Sequence, residues 1–396
     1  MAVVLAECPF SVVCMINATK NFYLFLGFHS FLLGLFPFFL PVYLYKNGAG
    51  LDEISWFIAV TGIAFSLTLF SLDFLRGKSY LLPLLISFVL EICLLALLVV
   101  GAPLWLVGII NGAYNCLYWT LQRILFLSGG TEENSGKRFG DFQIYILIVL
   151  KMGILCGSLL LENVGIVSVC MLSVAIACTG CIFFIKQRAH LNFPQSLVLQ
   201  QPVNVMELLR FKDNCRSRQV FIFDGVFLYL ESYFWVISLF LMVGESFVRL
   251  GGLVILLALI LGVIFYVIKN MIDNIDKQKV YRVGVILYML SWGFRGLFNT
   301  ELSSILQVAM LLVIAFCTSF FRLTFNKRFF DLAKRSGENR YIFVKSHYSQ
   351  FFIAVVFAIF GCCVINFDDN VGFLQTIYFG AAGCSIFYLL YRSYDT

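Results

Sequence analysis

Apolar residues run in blocks of membrane length along almost the whole chain, with short polar stretches between them. A hydrocarbon core of about 30 Å asks for about 20 apolar residues per helix. The runs of that kind are Asn21 to Tyr45, Ile54 to Leu75, Tyr80 to Val100, Leu104 to Leu127, Phe142 to Leu161, Gly165 to Ile185, Val220 to Val243, Leu250 to Val267, Val283 to Leu297, Leu302 to Phe325, Tyr341 to Val364 and Val371 to Tyr391. They predict twelve transmembrane helices and no strands. The longest interruption, Lys186 to Arg218, lies near the midpoint of the 396 residues. The punctuation of the first six spans returns about 200 positions later. Asp73 with Lys78 in LDFLRGK is answered by Asp273 with Lys279 in IDNIDKQK, and Ser135, Gly136 and Arg138 are answered by Ser336, Gly337 and Arg340. A doubled unit follows from this. Its parts are a lead-in at 1–20, a first six-helix bundle at 21–185, a linker at 186–218, a second six-helix bundle at 219–391 and a tail at 392–396.

Composition agrees with a bilayer as the solvent. Hydrophobic residues make up 61% and charged residues 13%, and there are 44 Phe, more apolar surface than a water-soluble chain of this length could bury. The 13 cysteines are scattered through apolar runs without metal-ligand or redox spacing and read as small apolar residues. The first twenty residues carry Glu7 and Pro9 where a signal peptide would be basic, so they read as an interfacial lead-in. Placing both chain ends in the cytoplasm leaves only Lys46, Arg249 and Arg295 of the 28 basic residues on the opposite side, with Lys151 in mid-span. The net charge of +6 is then an inward-facing girdle and not a nucleic-acid surface. Within the linker, Val205, Leu208, Leu209 and Phe211 recur at helical spacing, which fits either a helix on the inner membrane face or a solvated connector. No phosphate-binding glycine loop, metal constellation or soluble domain is present in the sequence. The expectation is therefore not an enzyme: no catalytic residues, no metal and no cofactor.

These features resemble the major facilitator superfamily, over about Asn21 to Tyr391. Twelve spans in two sixes share its architecture, and the two loop sequences sit where that family carries a motif of glycine, aspartate and basic residues. Leu69 stands in place of the leading glycine. The fifth span has Gly153 and Gly157 without the Gly-Pro pair of the family's drug/proton antiporters. The resemblance implies two pseudo-symmetric six-helix bundles, a central site lined by helices one, four, seven and ten, and alternating access by rocking of the halves. It also implies that Asp73, Lys78 and Asp273 act as cytoplasmic latches.

Charges inside the spans are the candidate chemistry, because each costs at least about 2.5 kcal/mol at the bilayer centre unless compensated. Glu231 and Asp224 lie seven residues apart on span seven and share one helical face. Burial in an apolar cavity favours the neutral form of a carboxyl group, so such a group can carry a proton. Glu231 is the first candidate for proton coupling and Asp224 the second. A permanent structural bond is the alternative for each. Lys151, Arg322, Arg123 and Lys345 are the cations within the spans. They would suit an anionic ligand, although Arg123, Arg322 and Lys345 could also snorkel to the interface, and Lys151 could pair with Glu231 or Glu91. Arg295, near the end of span nine, is expected to snorkel outward. Asn115, Trp119, Gln122, Tyr229, Trp235 and His29 complete the expected cavity.

The expected function is secondary active transport of a small, anionic organic solute by proton symport, with protons and membrane lipid as the partners. The expected protein is a multi-pass monomer of the bacterial inner or plasma membrane. The alternatives are a proton-driven exporter of a drug, siderophore or metabolite, and a lipid flippase on the same scaffold.

Overall fold

Long helices make up most of the chain in the computed structural model, which describes residues 23–72, 81–128, 135–187, 205–272, 276–298, 303–335, 338–365, 367 and 370–392. In order they are α1 (Tyr23–Lys46), α2 (Leu51–Ser71), α3 (Leu81–Val99), α4 (Leu104–Ser128), α5 (Ser135–Asn163), α6 (Ile166–Lys186), α7 (Ser217–Met242), α8 (Phe247–Ile272), α9 (Lys277–Leu297), α10 (Ser304–Arg335), α11 (Glu338–Val364) and α12 (Asn370–Leu390). Among the described residues ten are long and apolar enough to cross a membrane. The other two, α4 and α9, carry Asn111, Asn115 and Arg123, and Lys279, Arg282 and Arg295 respectively. The twelve helices and the absence of strands among the described residues match the pattern of apolar runs.

Helix ends follow local chemistry more closely than hydropathy. The ninth span was expected to begin at Val283, yet α9 starts at Lys277. The Asp276 carboxylate caps its first turn, accepting from the backbone N–H of Gln278 at 2.8 Å and of Lys279 at 2.9 Å. α1 is interrupted at Phe36–Phe39, where Pro37 and Pro41 remove backbone donors. In the linker, Val205–Leu209 is helical, and the Leu208 carbonyl accepts from the Tyr348 hydroxyl, so this short helix rests on α11. Asp73, Lys78 and Asp273, the expected latches, lie outside the described residues.

Glycines set how closely the helices approach. Gly153 and Gly157, one turn apart on α5, press against the α1 backbone at Phe31 to Leu35. This is the small-xxx-small contact by which helices associate without a hydrophobic driving force. α11 lies between α2 and α7. Gly62 of α2 faces the α11 backbone at Gln350 and Ala354, and Gly225 of α7 faces Ser349 and Ile353. The first and second halves thus meet through α2 with α11 and through α5 with α8.

The end of the molecule where α1 and α5 finish and α8 begins is tied across the halves. Lys46 Nζ donates to the Glu245 carbonyl at 3.2 Å and lies 4.7 Å over the Phe247 ring. The Glu162 carboxylate, at the end of α5, accepts from Ser246 Oγ at 3.0 Å and from the Phe247 N–H at 2.9 Å, capping the first turn of α8.

Two outcomes follow from this packing. A Cβ at Gly157 would stand 2.8 Å from the Leu35 carbonyl carbon, so Gly157→Ala should lower stability by about 1–3 kcal/mol. Gly252→Ala, with nothing within 4 Å, should be neutral; thermal melts in detergent compare the two. The Lys279 and Gln278 N–H groups hold the Asp276 carboxyl below the usual carboxylate range. Its support of α9 is therefore present above the usual value of about 3.9 and is lost as pH falls through the lower folded value. Amide exchange at the first turn of α9, corrected for intrinsic rate, should quicken in acid as it does in Asp276→Ala at neutral pH.

Candidate functional site

The middle of α7 departs from α-helical geometry. Ser217–Tyr229 is α-helical, Leu230–Phe234 is a π-helical turn, and Trp235–Met242 is α-helical again. Such a turn fits an extra residue into the helix and is frequent at functional sites. Glu231 stands in it.

Asp224 and Glu231 both reach Arg322 on α10. Arg322 Nε donates to Glu231 Oε2 at 3.1 Å, and Nη2 lies 3.1 Å from Oε1, so the guanidinium forks the carboxylate. Nη1 donates to Asp224 Oδ1 at 2.8 Å. Lys345 Nζ of α11 stands 2.7 Å from Asp224 Oδ2. Two tyrosines close the network. The Tyr388 hydroxyl of α12 donates to Asp224 Oδ1 at 3.1 Å. The Tyr288 hydroxyl of α9 donates to Glu231 Oε1 and accepts from Arg322 Nη2 at 3.1 Å. Side-chain exposure grades across the group: 1% for Asp224, 6% for Lys345, 15% for Arg322 and 16% for Glu231. Asp224 is the enclosed hub, and Glu231 lies at the accessible edge.

Snorkelling is thereby set aside for Arg322 and Lys345, since both turn inward to α7 carboxylates. Arg123 also turns inward: its Nη1 donates to Ser346 Oγ on α11 at 3.3 Å, one residue from Lys345 and across the two halves. Arg295 corrects the expectation of an outward-reaching side chain. It is 2% exposed and donates to Ser291 Oγ at 3.0 Å and to Thr318 Oγ1 of α10 at 2.9 Å. Its guanidinium lies 4.3 Å from the Trp292 ring and 5.1 Å from Trp235. Stabilisation by these rings and hydroxyls replaces the interface.

The α4 residues form a ladder. Trp119 Nε1 donates to Asn115 Oδ1 at 3.2 Å, Asn115 Nδ2 to Asn111 Oδ1 at 3.0 Å, and Asn111 Nδ2 to Thr61 Oγ1 of α2 at 3.3 Å. Asn111 was missed, although it continues the four-residue spacing. Gln122 is buried. Tyr229 stacks on Tyr233, with centroids 5.3 Å apart, and meets Phe357 of α11. Lys151, on α5, is half-buried with no ion-pair or hydrogen-bond partner among the described residues, so neither Glu231 nor Glu91 pairs with it. His29 sits apart from the Glu231 group. It is fully buried between α1, α3 and α4, with Nε2 3.1 Å from Ser87 Oγ, Nδ1 3.7 Å from Glu91 Oε2, and its ring stacked on Phe88.

A cavity of about 210 Å³ opens beside the network among α7, α8, α9 and α10. Glu231, Trp235, Arg295 and Thr318 supply its polar lining, with Leu257 and Leu311 among the apolar walls. Of the residues predicted for a cavity, Trp235 borders this one, beside the proton-coupling candidate Glu231.

The sequence matches no family model. No curated protein matches it either. Among solved structures, the chain is similar to the nucleoside transporter NupG, with a TM-score of 0.64 at 16% identity, covering 95% of this chain and 97% of that one. It is similar to the POT family transporter PepTSo, with a TM-score of 0.62 at 14% identity over 97% and 98% of the two chains. A bacterial homologue of the human drug peptide transporters PepT1 and PepT2 gives a TM-score of 0.65 at 13% identity over 95% and 97%. The fold is that of the major facilitator superfamily.

Removing one partner of the hub tests how the network is balanced. Asp224→Asn leaves Lys345 and Arg322 short of a counter-charge and should cost about 3–5 kcal/mol. Lys345→Met in the same chain should recover much of that loss. Unfolding of the single and double variants in detergent gives the coupling energy.

Proposed function

We propose that this protein is a secondary transporter that moves a small organic anion together with a proton, by alternating access between its two halves. The observation that carries this reading is Glu231 itself. It is a carboxylate in a π-helical turn, forked by Arg322, bonded by Tyr288 and open to a cavity that also holds Arg295. A proton arriving at Glu231 would cancel its charge and release part of the hold on Arg322. The cavity would then have more positive character than before, which favours an anion. Asp224, enclosed, hydrogen-bonded at Oδ1 and ion-paired at Oδ2, would keep Arg322 and Lys345 in place meanwhile.

The similar structures are transporters by name, of nucleosides in one case and of the POT family in another, and share the fold at full length. The halves would rock about the α2 with α11 and α5 with α8 contacts, with the Lys46 and Glu162 links holding one end shut. That end would face away from the cytoplasm, with both chain termini on the cytoplasmic side.

Proteoliposomes containing a trapped pH-sensitive dye test this. Monocarboxylates, nucleosides and dipeptides are offered in turn under an imposed pH gradient. One class should evoke inward proton flux in the wild type. In Glu231→Gln that flux should fall to the level of empty liposomes, while exchange of the same solute without a gradient persists. Gradient-driven flux that survives Glu231→Gln unchanged would remove Glu231 from the coupling.

A further inference from the structure

Arg295 forms no hydrogen bond or ion pair with a carboxylate among the described residues, although Glu231 stands on the same cavity wall. Arg322 spans both carboxylates and Lys345 takes Asp224, whereas Arg295 is bonded to the neutral hydroxyls of Ser291 and Thr318. Its Nε is buried without a hydrogen-bond partner. A 2% exposed guanidinium with a spare donor is costly in a low-dielectric interior, and here it borders a cavity. The ring of Trp235 lies alongside, and Leu257 and Leu311 make the remaining surface apolar.

We propose that this cavity is the subsite for the anionic group of the substrate, with Arg295 as its ligand, and that the substrate is a small monoanion with an apolar or aromatic body. The charge of Arg295 takes the anion, and the Trp235 ring and leucine walls take the body. At about 210 Å³ the space is below the ~300–1,000 Å³ of sites for drug-sized ligands, which limits the body to about one ring or a short chain. Thr318, which lines the same cavity, accepts from Nη2 and so positions the guanidinium. This inference rests on the transporter reading above, in which a proton on Glu231, on the same cavity wall, leaves the charge of Arg295 to the cargo.

The test uses the purified full chain and meta-iodobenzoate, with its neutral amide as the comparison, and follows tryptophan fluorescence. Trp235 and Trp292 flank Arg295, so an iodinated ring in the cavity quenches them. Wild type should show saturable quenching by the benzoate, and the amide should bind about tenfold more weakly or worse. Arg295→Gln should weaken benzoate binding by a similar factor. Its melting temperature should hold or rise, since an unpaired buried charge has been removed. A purely structural Arg295 would lower that temperature and leave the quenching alone.

The wild-type comparison of benzoate with amide needs no variant. Equal quenching by both, no saturation, or benzoate binding that survives Arg295→Gln would overturn the subsite. If those results come with intact gradient-driven proton flux, the subsite falls and the transporter reading stands. If saturable, Arg295-dependent benzoate binding comes with no solute-evoked flux, the anion site stands and transport is what fails.

Discussion

A charge in the hydrocarbon layer must be neutralised where it stands, and in this protein that requirement meets at Asp224. Its Oδ1 accepts from Arg322 and Tyr388 and its Oδ2 is ion-paired with Lys345, and these partners come from α10, α12 and α11. Through Arg322 the same contact reaches Glu231 and Tyr288, which brings in α9. Five helices are held by one connected set of charged and phenolic groups. Attraction between opposite charges is strong when the dielectric is low, and so is the penalty for losing a partner. The geometry of the second half therefore depends on complete pairing, much as a tightly packed core depends on complete filling.

The two halves share a fold and solve different problems with it. In the first half glycines bring helix backbones together beneath a core of aromatic side chains. Gly153 and Gly157 let α5 approach α1, and Gly108 and Gly112 let α4 approach α2. Its buried His29 and Glu91, 3.7 Å apart, are walled in by Phe88 and the α4 tyrosines, away from the Glu231 group. The second half adds side-chain ionic bonding to such contacts, and a cavity lies between α8 and α10. α11 belongs to both schemes, since Gly62 and Gly225 grip it from either side while its Lys345 enters the hub. Motion of one half against the other would have to pass through this helix.

The architecture was legible in the sequence because the bilayer imposes one length and one polarity on every span. Twelve apolar runs could be counted without knowing how they pack. Helix ends were less legible: a cap such as Asp276 extends α9 past the point where hydropathy stops. Of the site, Glu231, Asp224 and Arg322 were legible because a charge in a span is rare enough to stand out. Which of the cations pairs with which carboxylate was not, since a helical position fixes a face and a depth but not the neighbour across the gap. Tyr288, Tyr388 and Asn111 were missed for a simpler reason. In a chain with 18 tyrosines one phenol at a buried carboxylate gives no local signal. Arg295 was placed at the interface by its nearness to a helix end, whereas the Trp292 and Trp235 rings and two hydroxyls draw it inward.

The two α7 carboxylates differ in their surroundings, and the proposed coupling would divide the work between them accordingly. Asp224 has ionic or phenolic partners on both oxygens and almost no exposure, so a proton there would break bonds to Lys345 and Arg322 together. Glu231 shares its bonds with Arg322 and Tyr288 alone. Arg322 keeps Asp224 as a partner whatever happens at Glu231. Tyr288 is able to donate or accept, so its hydroxyl can turn to suit either form of the carboxyl. Losing the charge at Glu231 thus leaves no orphaned cation at Arg322, while the excess of positive charge in the adjoining cavity grows by one. A π-helical turn is a fitting place for such a group, because backbone that has already left the regular ladder yields more readily than the α-helical segment that carries Asp224.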